Sequence, residues 1–276
     1  MKTELTSVAP VRPIAPWLGG KRNLAKRICA IIDADDRHRT YAEPFVGMGG
    51  IFLRRSMRPQ AEFINDAGRD IYNLFRVLQE HYVPFLDMLR FQITTQANFN
   101  RLVGVDPDTL TDMQRAARFL YLQRCAFGGK VSGRNFGLAV DRPARFNLTT
   151  LQSDLEALHT RLSGVTVTCL DFAEFIRRVD RPEVLFYLDP PYWGCEADYG
   201  KALFSRERFE GLAAVLGALK GRFILSLNDV KGVRETFAGF EFREVKTTYT
   251  IGAGGASPDR AEVLISNWPL GLDGPS

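Results

Sequence analysis

The stretch "VLFYLDPPYW", Val184–Trp193, places an apolar run directly before an acid, two prolines and two aromatic residues. The apolar run predicts a buried strand. Asp189 marks the point at which this strand leaves the core, because proline stops a strand and has no backbone N–H to donate. In an open parallel sheet, ligands bind at the carboxyl ends of the strands. Asp189 and the turn after it are therefore candidates for a functional site.

The chain before this stretch repeats a pattern of strand, turn and helix. Residues 40–55, "TYAEPFVGMGGIFLRR", predict a strand, a glycine-rich turn and a helix. Residues 61–79 predict a strand to Ile64, an acid at Asp66 and a helix from about Arg69. Strands that alternate with helices are typical of a mostly parallel sheet with helices on both faces.

Three further segments complete the predicted sheet. Residues 164–179 predict a strand that ends at Leu170 and a helix beyond Asp171. Residues 205–237 predict a helix, a strand and a helix, and residues 240–268 predict a hairpin around a glycine-rich loop. We therefore predict an α/β fold with a mostly parallel seven-stranded sheet, to which the hairpin adds an antiparallel strand.

Residues 71–150 break this alternation. They are largely helical in pattern and end in the glycine-rich, irregular stretch "FGGKVSGRNFGLAVDRPARFN". We interpret them as a lobe inserted into one catalytic domain, which consists of residues 1–70 and 151–276.

Composition excludes several classes of protein. The 276 residues include 36 basic and 32 acidic side chains, a net charge of +4, so a polyanion has to meet a local basic patch. The four cysteines form no CxxC pair, and the three histidines form no HExxH motif, so we expect no metal site and no disulfide scaffold. No apolar run is long enough to span a bilayer, and we expect no membrane partner.

The glycine-rich turn and two acids suggest a nucleoside-type ligand. Gly47 and Gly49 let a ligand approach the backbone, although a plain tight turn explains them equally well. Asp66 follows the second strand, where a carboxylate can accept both ribose hydroxyls or cap a helix. Asp171 and Phe172 suit an adenine, or a helix cap with a core aromatic. The GxGxxG and GxxxxGK[ST] patterns are absent, which disfavours dinucleotides and nucleoside triphosphates.

The motif Asp189-Pro190-Pro191-Tyr192 suits an exocyclic amine of a nucleobase. The lone pair of such an amine is delocalised into the ring, so the amine is a poor nucleophile. A carboxylate and a rigidly held backbone carbonyl that each accept one N–H localise density on the nitrogen. An aromatic ring then stacks on the base once it has left the helix. A strand-terminating turn with a packed tyrosine is the plainer alternative.

Three motifs in this order, "PWLGGKRNLAKRI", "AEPFVGMGG" and "YLDPPYW", resemble those of the Dam-type (α-group) N6-adenine DNA methyltransferases. The segments "FLYLQRCAFGG", "FILSLND" and "AEVLISN" also look like motifs of that family. The resemblance implies a Rossmann-like methyltransferase fold, S-adenosyl-L-methionine as donor, and direct transfer of its methyl group to adenine N6 in double-stranded DNA after base flipping.

The resemblance also implies roles for individual residues. The catalytic residues are Asp189, Pro190, Pro191 and Tyr192. The donor contacts are Trp17, Lys21, Phe45, Gly47, Gly49, Asp66, Asp171, Phe172 and Asp189. Without the family, Trp17 is more simply a core residue and Lys21 a solvated charge. Trp193 has no assigned role: it extends the stacking platform or packs beneath it.

The inserted lobe carries the predicted DNA contacts. Residues 115–145 contain seven basic side chains and one acid, interleaved with aromatic residues, which suits phosphate contacts and an aromatic wedge. A solvated face and a core face of one helix are the plainer alternative. The predicted DNA-binding residues are Arg115, Arg124, Phe127, Lys130, Arg134, Asn135 and Arg142.

The target sequence stays open. Phe127 aligns with the tyrosine of a Y-N-G motif in the family and is a candidate intercalator, but the triplet here is Phe127-Gly128-Gly129 and lacks the asparagine. Ser132 stands where members that read GATC have an arginine, and Arg134 is a possible substitute. Relaxed specificity is therefore one of the open alternatives.

Two classes of alternative remain at this stage. One is an N4-cytosine DNA or N6-adenine RNA methyltransferase, which uses the same chemistry on another base. The other is a catalytically silent DNA-binding protein. We expect a monomer in the cytoplasm of a prokaryote or encoded by a phage, with restriction–modification as one possible setting.

Overall fold

The computed structural model of the chain describes residues 4–17, 19, 21, 23–138, 141, 143–194, 204–247 and 260–270. The strands are β1 (Thr6–Ser7), β2 (Thr40–Glu43), β3 (Met57–Arg58), β4 (Ala61–Asn65), β5 (Val165–Thr168), β6 (Val184–Leu188), β7 (Arg222–Asn228), β8 (Glu241–Thr247) and β9 (Arg260–Ser266). The α-helices are α1 (Ala25–Asp33), α2 (Arg69–Glu80), α3 (Tyr82–Leu89), α4 (Gln96–Val103), α5 (Asp112–Cys125), α6 (Leu148–Leu162), α7 (Phe172–Val179), α8 (Arg206–Gly217) and α9 (Lys231–Thr236).

One seven-stranded sheet, in the order β5-β4-β2-β6-β7-β9-β8, forms the centre of the fold. Neighbouring strands from β5 to β7 pair in parallel, whereas β9 pairs antiparallel with both β7 and β8. The prediction of a mostly parallel seven-stranded sheet with an antiparallel strand is confirmed. After β2 the chain adds β4 and β5 on one side of β2 and then adds β6 on the opposite side. The topological switch point therefore lies between β2 and β6.

Strand β6 lies between two apolar layers. Leu185 and Tyr187 belong to the core that includes residues of α1, α2 and α6, while Phe186 and Leu188 face the core built with α7, α8 and α9. Alternate residues of a strand point to opposite faces, so an unbroken apolar run is what a strand buried on both sides requires. The motif after β6 therefore starts from a rigid, fully buried strand.

Two predicted elements differ from the structure. The helix expected after "EPFVGMGG" is only a 3₁₀ helix, Phe52–Arg54, because the chain turns at once into β3. The strand expected to reach Leu170 ends at Thr168. Beyond Thr168 the side chain of Asn65 replaces a backbone partner. The Leu170 N–H donates to Asn65 Oδ1 at 2.8 Å, and Asn65 Nδ2 donates to the Leu170 carbonyl at 3.0 Å.

Helices α3, α4 and α5 form a lobe between α2 and α6. Helix α5 lies at its centre and begins with a capping box, in which the Thr111 and Gln114 side chains each accept from the other residue's backbone N–H. The predicted limits of the lobe, residues 71 and 150, fall within α2 and α6, and the division into two domains stays a prediction. Across the described parts of the chain, no helix is long and apolar enough to cross a membrane.

Candidate active site

The predicted site residues follow successive parallel strands at one edge of the sheet. Asp171 follows β5, Asp66 follows β4, the turn with Gly47 and Gly49 follows β2, and Asp189 follows β6. Because β5, β4, β2 and β6 are neighbours in this order, their carboxyl ends lie side by side. The fold thus collects segments more than 100 residues apart in sequence into one row at the switch point.

Asp189 lies in a polar contact network at the end of β6. Its Oδ1 is 2.9 Å from Lys21 Nζ and accepts from the Ser226 hydroxyl at 3.3 Å. Ser226 in turn lies 3.0 Å from the Tyr187 hydroxyl. Burial raises the pKa of Asp189 to about 6, although the Lys21 ammonium lowers it. Asp189 is therefore an ionised acceptor at neutral pH that protonates in mild acid.

Lys21 joins the N-terminal motif to three other groups. Its ammonium donates to the Tyr192 hydroxyl, lies 4.1 Å from the centroid of the Tyr192 ring, and is 3.4 Å from Glu262 Oε2. Lys21 is only 2% exposed, so its predicted alternative as a solvated charge is not what the structure shows. Burial and the carboxylates of Asp189 and Glu262 raise the pKa of Tyr192, which keeps its hydroxyl neutral.

Trp193, which had no assigned role, packs beneath the motif. Its ring centroid is 4.9 Å from that of Phe209 in α8. Gly232 in α9 lies directly against the same ring, since a Cβ atom there would be 2.4 Å from it. The Asn228 amide bonds both backbone polar groups of Trp193. Trp193 therefore anchors the turn to the protein.

The glycine-rich turn is shaped by close packing. Gly47 has a φ of +51°, and a Cβ atom there would lie 2.8 Å from Trp17 Nε1. Its N–H donates to Asp66 Oδ2 at 2.9 Å, while the Gly68 N–H donates to Asp66 Oδ1 at 2.8 Å. Gly47 therefore contacts Trp17 on one side and Asp66 on the other. Burial raises the pKa of Asp66 to about 6, although both backbone donors lower it.

Gly49 needs its missing side chain for a different reason. Its φ is +76°, and a Cβ atom there would be 2.7 Å from Leu53 Cγ. The glycine therefore lets the turn close over the 3₁₀ helix that follows. Phe45, at the start of the turn, is half-buried and packs 5.5 Å, centroid to centroid, from Phe172.

Asp171 and Phe172 make the contacts of a helix cap and of a core aromatic residue, which was the alternative to binding an adenine. Asp171 caps α7 by accepting from the Ala173 N–H at 2.9 Å, and it pairs with Arg208. Phe172 is 4% exposed, and its ring lies 5.7 Å from that of Phe204. The Arg208 guanidinium carbon stands 4.5 Å from the Phe172 ring centroid. A ligand ring at this place would meet Arg208, which the sequence did not indicate.

Two predicted DNA-binding arginines are occupied within the protein. Arg115 pairs with Asp70 at 2.5 Å and with Asp108 at 2.6 Å. Arg124 donates to the carbonyls of Arg145, at 3.0 Å, and of Ile14. These contacts hold the lobe together and attach it to the N-terminal segment. The local charge that the lobe presents outward is therefore smaller than the sequence count suggests.

Four of the other predicted DNA contacts lie in or beside one irregular turn: Phe127, Lys130, Arg134 and Asn135. Ala126 and Phe136 form an isolated β-bridge, and the Phe127 N–H donates to the Asn135 carbonyl at 2.9 Å. Phe127 is 59% exposed, and Lys130 and Asn135 are also exposed. Arg134 is half-buried and donates to Gln123 Oε1 at 3.3 Å. Arg142 lies outside the described residues.

Gln123 connects this turn to the N-terminal motif. Its fully buried amide donates to the carbonyls of Pro16, at 2.8 Å, and Gly129, at 2.7 Å. Trp17 also packs edge-on against Phe119 of α5, with centroids 6.5 Å apart. The segment that carries Lys21 is therefore held from the lobe side as well as from the sheet.

The edge as a whole suits a cationic nucleoside. Its carboxylates, Asp66, Asp171 and Asp189, can accept from hydroxyl and amine groups, and the rings of Phe45 and Phe172 offer apolar surface. Among the described residues, no group of three or more histidine, cysteine or acidic side chains is arranged to hold a metal ion.

This row of acids and aromatic rings at the switch point suits a ligand with amine and hydroxyl groups, and comparison with known proteins assigns the family of the chain. Residues 17–251 match the family described as D12 class N6 adenine-specific DNA methyltransferase, and the chain belongs to this family. The predicted family, its fold and its enzymatic function, methylation of adenine N6 in DNA, are confirmed.

Named relatives align over almost the whole chain. The Type II methyltransferase M1.LlaDCHI of Lactococcus lactis subsp. cremoris is 24% identical over 94% of this chain and 96% of its own length. The Type II methyltransferase M.CviBI of Paramecium bursaria Chlorella virus NC1A is 21% identical over 94% of this chain and 100% of its own length. A DNA adenine methylase of Vibrio cholerae is 24% identical over 92% of this chain and 95% of its own length.

Proposed function

We propose that the chain uses S-adenosyl-L-methionine to methylate adenine N6 in double-stranded DNA by direct displacement, after the target base has left the helix. The observation that carries this proposal is the position of Asp189. Its carboxylate ends a fully buried strand at the switch point, beside the half-buried Tyr192 ring. A rigid carboxylate next to an aromatic ring is what a flipped-out base with an amino group requires.

Asp189 and Pro190 act on the target amine. The Asp189 carboxylate accepts one N–H, and the Pro190 carbonyl, fixed by the two adjacent proline rings, accepts the other. Both acceptors increase electron density on the nitrogen as it attacks, and they stabilise the positive charge that develops there. As the new N–C bond forms, the C–S bond breaks with its electron pair remaining on sulfur, and the nitrogen then loses one proton to give the neutral methylamine. Tyr192 stacks on the base.

The donor supplies an electrophilic methyl group on a cationic sulfur, and the residues along the edge suit it. Asp66 has both oxygens ordered by backbone N–H groups and retains lone pairs for ribose hydroxyls. Asp171, Phe172 and Phe45 lie together where the adenine ring would bind. Trp17, Lys21, Gly47 and Gly49 shape the remaining wall, and Asp189 also lies within this row.

The inserted lobe, residues 71–150, binds the DNA through its exposed turn. Phe127 is the candidate wedge, and Lys130, Arg134, Asn135 and Arg142 are the candidate polar contacts. We assign Arg115 and Arg124 to the internal scaffold of the lobe, because both form ion pairs or hydrogen bonds within the chain. We infer that the protein acts as a monomer, because the described residues bring one exposed turn and one candidate site together within the same chain.

Incubation of the purified protein with labelled donor and duplex DNA that lacks N6-methyladenine tests this function. We expect label in DNA, and digestion to nucleosides should give N6-methyladenine by mass. Recovery of N4-methylcytosine, or label that enters RNA and not DNA, would contradict the proposed target. Calorimetric titration of the protein with the donor tests the cofactor separately from the reaction.

A further inference from the structure

We propose that Glu262 is a positioning residue that takes over the ion pair of Lys21 when Asp189 receives the target amine. This inference rests on the proposed role of Asp189 as the acceptor of the adenine amino group. Glu262 lies in β9, which pairs with β7 and β8, and is far from the motif of Asp189 in sequence. It has no role in the function proposed above.

The contact between Lys21 and Asp189 poses a problem for catalysis. Lys21 Nζ is 2.9 Å from the Asp189 carboxylate, and Lys21 is 2% exposed. A carboxylate that is engaged by an ammonium group is a weaker acceptor for a neutral amine. Lys21 therefore has to move away when the target base arrives, and a buried ammonium without a counter-charge is strongly unfavourable.

Glu262 supplies that counter-charge with little movement. Its Oε2 is 3.4 Å from the same Lys21 Nζ, and the Glu262 side chain is fully buried. A shift of the ammonium by a fraction of an ångström brings it nearer to Glu262 than to Asp189. Lys21 therefore stays paired while Asp189 becomes available to the amine.

The topology of the sheet explains why a residue of β9 reaches the site. Because β9 runs antiparallel to β7, the start of β9 lies at the edge where β7 ends, and Glu262 pairs in register with Asn228. Glu262 also hydrogen-bonds Tyr192. It therefore orients the ring on which the base stacks as well as the ammonium.

Several other charged or titratable groups act on Asp189, and they come from separate elements. They are Lys21 of the N-terminal segment, Glu43 of β2, Tyr187 of β6, Tyr192 of the motif and Glu262 of β9. Burial raises the pKa of Glu43 to about 8, so Glu43 is mostly neutral at pH 7. Burial likewise raises the pKa of both tyrosines, which stay neutral. The acidic side chains in contact with the Lys21 ammonium are those of Asp189 and Glu262.

The substitution Glu262→Gln removes one of these charges and keeps a hydrogen-bonding group for Tyr192. Of the two carboxylates, Lys21 then retains that of Asp189, and the ion pair between Lys21 and Asp189 becomes stronger. We expect kcat to fall about 10- to 100-fold, with affinities for duplex DNA and for the donor within about twofold. Because the Glu262 carboxylate raises the pKa of Asp189, the acid limb of the kcat profile, which is the pH range in which kcat falls on acidification, should lie at lower pH in Glu262→Gln.

A second readout needs no reaction. Carbon-13 labelling of aspartate carboxyls in donor-free protein reports the titration of Asp189, and the resonance is identified by its loss in Asp189→Asn. The midpoint should be lower in Glu262→Gln than in the unsubstituted protein. A role limited to packing would leave this midpoint unchanged.

Two variants serve as controls. Glu62 lies in β4, and its fully buried carboxylate pairs with Arg55 and Arg161. Glu62→Gln removes this charge and should lower Tm without moving the acid limb. Glu262→Asp retains the charge, so kcat should recover at least partly and the acid limb should return toward its original position. This variant also tests the inference if Glu262→Gln does not fold.

Three results would overturn the inference. The first is a Glu262→Gln variant with unchanged kcat and unchanged pH dependence. The second is an acid limb that moves as far in Glu62→Gln as in Glu262→Gln. The third is an acid limb in Glu262→Asp that is shifted as far as that of Glu262→Gln. If Asp189→Ala is inactive in the same assays, the proposed function stands even though the role of Glu262 fails.

Discussion

The side-chain amide of Asn228 forms two hydrogen bonds with the backbone of Trp193. The Trp193 N–H donates to Oδ1 at 3.0 Å, and Nδ2 donates to the Trp193 carbonyl at 3.0 Å. The end of β7 is thereby joined to the turn that carries Asp189 and Tyr192. The position of the catalytic turn depends on its neighbouring strand as well as on its own prolines.

Loss of this amide should reduce the rate of transfer more than it reduces binding. Asn228→Ala removes both bonds, so the turn moves relative to the target base, and a displacement of about 1 Å costs about 10²-fold in rate. Single-turnover methylation with preformed enzyme–DNA complex measures the effect.

Asn267→Ala is the matched control for Asn228→Ala. The Asn267 amide also bonds two backbone groups of the β7 region: it accepts from Phe223 N–H at 3.2 Å and donates to the Gly221 carbonyl at 2.9 Å, at the opposite end of the strand. Its loss should lower Tm and leave the single-turnover rate within about twofold. Equal rate losses in the two variants would show that the clamp at Trp193 has no special importance.

A side chain at residue 232 should disturb the same turn from below. Gly232→Ala places a methyl group 2.4 Å from the Trp193 ring, so the ring and its backbone have to shift. We expect a lower kcat and a lower Tm. Gly211→Ala in α8 is the control, because a Cβ atom there meets nothing within 4 Å and alanine favours a helix by about 1 kcal/mol over glycine.

Activity should fall in mild acid. The pKa of Asp189 is raised from 3.8 to about 6, so in the donor-free protein the carboxylate keeps its proton up to about pH 6. A protonated carboxyl group accepts poorly from the target amine, and kcat/KM for DNA should therefore decrease below about pH 6 and level off above about pH 7. The profile is measured at saturating donor, because Asp66 also has a pKa of about 6. A rate that is constant from pH 5 to 7 would contradict an ionised Asp189 as the acceptor.

Phe127 should act on the DNA and not on the donor. Phe127→Ala removes an exposed ring, so the duplex is opened less readily and the target base leaves the helix less often. We expect a smaller fluorescence increase from 2-aminopurine at the target position and unchanged calorimetric affinity for the donor. Val83→Ala, a similarly exposed apolar residue, should leave the fluorescence response intact.

The sequence predicted the fold well, because its strands have a clear physical signature. The unbroken apolar run of β6 requires apolar layers on both faces, and the acids at strand ends indicated the functional edge of a parallel sheet. The helix after Gly49 and the last two residues of the strand before Asp171 were predicted incorrectly. In both places tertiary packing and a side-chain amide override the local pattern.

Long-range pairing explains the rest of the differences. Arg115 looks like a phosphate contact in its own segment, but Asp70, which neutralises it, is 45 residues away. Glu262 reaches Lys21 only because β9 is inserted antiparallel between β7 and β8. A polar residue in an otherwise apolar strand was the available signal for Ser226 and Glu262, and spacing alone does not reveal their partners.

The most direct test of the central claim is single-turnover methyl transfer by Asp189→Ala, with Asp229→Asn as a control. Asp229 is an aspartate whose ion pair with Arg234 lies at the surface. With donor and unmethylated duplex bound, we predict that Asp189→Ala forms N6-methyladenine at least about 10³-fold more slowly. Its affinity for DNA should stay within a few-fold of the original, and Asp229→Asn should behave like the unsubstituted protein. Transfer by Asp189→Ala at the original rate would contradict the assignment of Asp189 as the acceptor of the target amine.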